Sequence, residues 1–146
     1  MFGVADHLIV DGSREGDKSG TVKNWEATVD EYLILLPDDE EAWEQLSDGE
    51  REAVYDQHRE FARRLQEGGH VLTGGAELAP SRTAKTVRRA AGRTVVSDGP
   101  PTNARQQLSG YYLVETGNPD GLAEACGLLA SGSPVEVRRV ARHDTG

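Results

Sequence analysis

The segment Glu31-Tyr32-Leu33-Ile34-Leu35-Leu36 is apolar at nearly every position rather than at alternate ones. Successive side chains of a strand point to opposite faces of a sheet, so a run like this needs cover on both sides. The segment is therefore expected to be a central strand, buried on both faces. Pro37 is expected to end it, since proline has no N–H to give to the ladder. Any fold for this chain must supply a layer above the strand and a layer below it.

Helices can supply one layer. Ser47-Asp48-Gly49-Glu50 has the capping-box pattern, with Ser47 as N-cap and Glu50 three residues on. The helix is predicted over Asp48–Glu67 and ends at Gly68-Gly69. Its apolar stripe is Val54, Phe61, Ala62 and Leu65. His58 lies four residues from Val54 and three from Phe61, on the inward face. It is either a core histidine bonded to a carbonyl or a functional one. Asn118-Pro119 starts a second helix, which runs to about Ala130 despite Gly121 and Gly127. Asp38-Asp39-Glu40-Glu41 resembles a metal cluster in composition, but acidic residues also suit the positive start of a helix, and it is read as a solvated helix start.

The strands follow from β-branched and aromatic runs. His70–Thr73 is one, ended by Gly74-Gly75. Thr83–Arg89 and Arg93–Ser97 form a hairpin about Ala91-Gly92. Tyr111–Glu115 is the next, and Val135–Val140 the last. The order β-α-β-β-β-β-α-β describes an α+β, ferredoxin-like chain with an added hairpin. Helices on one face of such a sheet leave the other to be covered by a second copy. Residues 1–29 stand apart as an extension, with His7–Val10 a possible short strand and Asp11–Lys23 a Gly-, Ser- and charge-rich linker. The extension is either a mobile arm or one that docks on a partner. Residues 142–146 are a polar tail.

A formal net charge of −9 works against nucleic-acid binding and against attraction to anionic membranes. No run is long enough to span a bilayer and the start lacks a signal-peptide pattern, so a cytoplasmic protein is expected. The single cysteine, Cys126, cannot form an intrachain disulfide and sits in an apolar run as a small core residue. His7, His58, His70 and His143 have no zinc spacing, and neither a phosphate loop nor a nucleophile elbow is present. No metal and no cofactor are expected.

Between the strands Thr94-Val95-Val96 and Tyr111-Tyr112-Leu113-Val114 lies Ser97-Asp98-Gly99-Pro100-Pro101. The stiff turn holds the Asp98 carboxylate at a strand end, where it either closes an Asx-type turn or faces a pocket. Asp98-Gly99-Pro100, then Gln107-Leu108-Ser109-Gly110-Tyr111-Tyr112-Leu113-Val114-Glu115, resembles the signature of YCII-related proteins of the DGPF type. Pro101 stands where that signature has phenylalanine. The resemblance extends over roughly residues 30–140, through Glu41-Ala42-Trp43, Ser47–Leu65, Gly74-Gly75-Ala76-Glu77-Leu78 and Val135-Glu136-Val137-Arg138.

The resemblance implies a YCII-like domain over 30–141 and a homodimer in which two sheets pair into an α/β barrel. It also implies a histidine–aspartate pair for acid–base chemistry, which maps onto His58 and Asp98. Tyr111 or Tyr112 would add a phenol donor to a small-molecule ligand. The leading expectation is a cofactor-free lyase or isomerase. The alternatives are a ligand-binding or regulatory module, in line with the sigma-factor neighbours common among DGPF-type proteins, and a scaffold whose extension binds a partner.

Overall fold

The computed structural model describes residues 28–143. The extension expected over residues 1–29 therefore lies almost wholly outside the described residues, as do the last three residues of the tail.

Strand β1 (Asp30–Asp39) leads into a short helix α1 (Glu40–Glu44) and the long helix α2 (Asp48–Glu67). Strand β2 (Val71–Glu77) follows, then the hairpin β3 (Lys85–Ala90) and β4 (Arg93–Asp98). Strand β5 (Gln106–Thr116), helix α3 (Pro119–Cys126) and strand β6 (Glu136–Arg139) complete the order. The main sheet runs β2-β5-β1-β6, with every neighbouring pair antiparallel. Mixed α/β with antiparallel sheets, the chain is compatible with a ferredoxin-like α+β fold. The hairpin forms a two-stranded sheet of its own.

The local signals act as expected at the helix starts. Ser47 Oγ accepts from Glu50 N at 3.1 Å, and Glu50 Oε1 accepts from Ser47 N at 2.8 Å. Asp39 caps α1 by accepting from Ala42 N, and Asn118 caps α3 by accepting from Gly121 N. Helix α3 stops at Cys126, short of Ala130, and its last turn tightens into a 3₁₀ turn over Gly127–Leu129. Gly121 within so short a helix and Gly127 at its C-cap leave little propensity to carry it further.

Three strand expectations need correction. Pro37 does not end β1. The strand passes through it at a bulge, where the register shifts between Leu36 and Pro37, and a bulge tolerates a missing N–H. Ser109 is the residue skipped on β5, and its hydroxyl donates to Leu36 O at 2.8 Å. Gly74-Gly75 do not end β2 either. A Cβ at Gly75 would lie 2.8 Å from Tyr111 O and 2.9 Å from Tyr112 Cδ1, so glycine there lets the two backbones close up. Finally, β1 is not buried equally on its two faces. Tyr32, Ile34 and Leu36 are buried, whereas Leu33 and Leu35 are half-buried.

The core explains the asymmetry. Phe61 and Leu65 of α2 and Leu122 and Cys126 of α3 pack with Tyr32, Ile34, Leu36, Leu72, Tyr112 and Val114 on the inner sheet face. Full burial of a side chain such as Phe61 removes enough apolar surface to contribute roughly 2 kcal/mol. On the outer face Leu33 lies opposite Leu113, and Leu35 opposite Tyr111. The adjacent Tyr111 and Tyr112 thus stand on opposite faces, Tyr112 in the core and Tyr111 outside it.

Candidate functional site

The site grows from the inward face of α2. That face carries His58 into the core, where 9% of the residue remains exposed. Its Nδ1 lies 2.7 Å from Tyr112 Oη, and the Tyr112 ring also packs on Phe61 with centroids 5.2 Å apart. Burial holds both groups neutral: it pushes the His58 pKa down to about 4 and the Tyr112 pKa up. Of the two neutral groups the phenol is the stronger acid and the imidazole nitrogen the stronger base. In the tautomer that this order favours, Tyr112 O–H donates to Nδ1 and the ring proton of His58 is carried on Nε2.

Two adjoining cavities open beside His58. One, of ≈ 140 Å³, is lined by Asp38, Glu40, Trp43, Glu44, Val54, Tyr55, His58, Glu77, Leu78, Pro80 and Ser109. The other, of ≈ 200 Å³, shares Asp38, Trp43, Val54, His58 and Ser109 with it and reaches to the 131–135 loop. The shared residues make a common wall, placed by the bulged end of β1, by α1, by α2 and by β5. Trp43 and Tyr55 stack at a tilt with centroids 5.7 Å apart. Arg51 fastens α1 to α2: its Nη2 donates to Trp43 O at 3.0 Å and its Cζ lies 5.3 Å from the centroid of the Trp43 ring.

The structure does not bring the two residues of the expected pair together. Asp98 ends β4, on the exposed hairpin, and stands opposite Lys85 in the ladder. Its Oδ1 accepts from Lys85 Nζ at 2.6 Å, with 83% of its side chain exposed. An opposite-charge pair across a hairpin stabilises locally, so the register that builds the hairpin also takes Asp98 away from α2. Tyr112 does contact His58, but from within the core, and Tyr111 lies on the far face of the sheet.

The carboxylate that shares the cavity with His58 is Asp38. Burial is the main cause that raises its pKa, and the neighbouring charges of Asp39 and Glu40 add to it, against an opposing bond from Asp39 N. Sequence reasoning placed Asp38 in a solvated helix start. The signal that separates it from Asp39 is the proline before it: a strand carried past Pro37 turns Asp38 inward, while Asp39 caps α1 and pairs with Arg105 at 2.8 Å. His70, the other buried histidine, is a structural tie, with Nδ1 2.8 Å from Thr116 Oγ1. Cys126 is buried and free, and burial pushes its thiol up to about 11, away from the reactive thiolate. Among the described residues there is no cluster of His, Cys, Asp and Glu suited to a metal ion, and no helix is long and apolar enough to cross a membrane.

Residues 31–142 match the family model of the YCII-related domain. The chain belongs to the YCII-related family. An uncharacterised protein of Rhizobium meliloti (strain 1021) is 32% identical over 119 residues, which cover 79% of this chain and 95% of the relative. The YCII-related region thus includes every element of the site, from β1 to β6. The hairpin with its Asp98–Lys85 pair lies within that region too, but apart from the cavity.

Proposed function

We propose that the cavity beside His58 binds a small organic molecule and moves a proton on it, as a cofactor-free lyase or isomerase does. The single observation that carries this reading is the opposed tuning of two groups on one wall. Burial favours the neutral form of each, lowering the His58 pKa and raising that of Asp38, and perturbed titratable groups that share one cavity wall support acid–base chemistry there. In this scheme Asp38 takes the proton, in place of the Asp98 implied by the resemblance. Neutral His58, oriented by Tyr112, donates its Nε2–H to the oxygen on which negative charge develops.

The second half of the proposal is assembly. The rows Leu33–Leu113 and Leu35–Tyr111 are an apolar patch on the outer sheet face, opposite the helices. A second copy laid on this face would close a dimeric α/β barrel of the kind expected from the DGPF-type resemblance.

The test uses carbon-bound protons of carbonyl compounds in deuterated water, followed by NMR. Wild-type protein should catalyse exchange on at least one compound. Asp38→Asn and His58→Asn should each slow it about a hundredfold or more. Exchange at the wild-type rate in Asp38→Asn would remove Asp38 from the mechanism. Binding without exchange across such compounds would instead favour the ligand-binding or regulatory module.

A further inference from the structure

The charge and the aromatic lining of the ≈ 140 Å³ cavity narrow what it can hold, on the premise that this cavity is the ligand site. Four carboxylates line it, those of Asp38, Glu40, Glu44 and Glu77, and no lysine or arginine does among the described residues. Three are engaged within the fold. Glu40 accepts from Ser81 N and Oγ at 2.7 and 2.6 Å, Glu44 faces Arg82 at 3.7 Å, and Asp38 accepts from Asp39 N at 2.9 Å. Glu77 ends β2, and its carboxylate has no hydrogen-bond or ion-pair partner among the described residues. Of the nearby cations, Arg82 faces Glu44, and Arg51 is spent on the Trp43 ring and on the carbonyls of Trp43 and Glu44.

An anionic ligand entering this space would meet like charge with no lysine or arginine among the lining residues to offset it, a cost that specific sites avoid. A cation would meet the reverse. Its charge would face Glu77 and Glu44 at the mouth, and its apolar part would lie against Trp43, Tyr55, Val54 and Leu78. Aromatic walls beside carboxylates favour ammonium groups attached to a hydrocarbon or ring. The field of Glu77 already reaches into the cavity, since it contributes to raising the Tyr55 pKa after burial.

We infer that the ligand of this cavity is an organic cation, an amine carrying an aromatic or aliphatic body, with Glu77 as the charge that selects it.

Three probes of matched shape decide it: 2-phenylethylamine, 2-phenylethanol and 3-phenylpropionate, titrated into the full chain at pH 7 with backbone and imidazole NMR shifts as readout. The amine should move the signals of His58, Tyr55 and Trp43, bind more tightly than the alcohol, and weaken as salt is raised. The carboxylate should leave these signals unmoved. Glu77→Gln, on an exposed strand end, should keep the fold and weaken the amine about fivefold, the ratio carried by one exposed charge pair. Binding of 3-phenylpropionate as tight as that of the amine would overturn the cationic class and leave the cavity as a ligand site. Amine binding unchanged in Glu77→Gln would overturn the selector role. Failure of all three probes to move cavity signals would overturn this inference together with the premise beneath it. Loss of proton exchange in the variants at Asp38 or His58 is a separate readout, so the catalytic reading can fail while cation binding stands.

Discussion

Acidification from pH 7 to pH 5 should destabilise this protein through one side chain. Unfolded, His58 titrates near 6.5; in the core, burial lowers that to about 4. Between those values the unfolded chain binds a proton that the folded chain refuses. Stability therefore falls as pH falls through the window, is complete above about pH 6.5, and stops changing below about pH 4. Each pH unit between the two values carries about 1.4 kcal/mol. Roughly 2 kcal/mol of the total of roughly 3 falls between pH 7 and pH 5. His70, lowered by burial as well, acts in the same direction, and Asp38, raised by burial, acts in the opposite one. His58→Asn isolates the contribution, because it keeps a polar atom near Nδ1 but does not titrate. Urea unfolding followed by circular dichroism, at one protomer concentration, should give a steeper loss with acid in the wild type than in the variant, by roughly 2 kcal/mol over this interval. Parallel pH dependences, or an NMR titration of the His58 ring with a midpoint near 6.5, would refute the reasoning.

Three further outcomes follow from the packing. Tyr112→Phe removes the hydroxyl 2.7 Å from His58 Nδ1 and should cost about 1–3 kcal/mol in urea unfolding, together with slower proton exchange on a substrate. Gly75→Ala forces a Cβ to within 2.8 Å of Tyr111 O, so β2 must shift from β5 and thermal unfolding should show a loss of about 1–3 kcal/mol. Light scattering at micromolar concentration should return about twice the 15.8 kDa chain mass, and Leu33→Arg on the outer sheet face should return a monomer; a wild-type monomer across the concentration range would remove the barrel.

The starts of the two longer helices were legible because their signals are local. The Ser47 and Glu50 pair satisfies the first N–H groups of α2 from within four residues, and the 3.6-residue period alone turns His58 inward with Phe61 and Leu65. The hairpin was legible for the same reason: Ala91 and Gly92 take the positive φ values that a two-residue turn demands. Tyr111 and Tyr112 had to fall on opposite faces because a strand alternates. What the chain could not disclose by itself was which distant groups meet. In one dimension Asp98 stands out through its Asp-Gly-Pro turn, while Asp38 is hidden in an acidic run that reads as a solvated helix start. Register decides between them. The β3–β4 ladder sets Asp98 opposite Lys85, while the bulge at Leu36 and Pro37, answered by Ser109 on a strand some 70 residues away, carries Asp38 to the wall it shares with His58. Local sequence thus determined the helix starts and the inward face of α2; pairing between remote strands, a property of the whole sheet, decided which carboxylate lines the cavity beside the histidine.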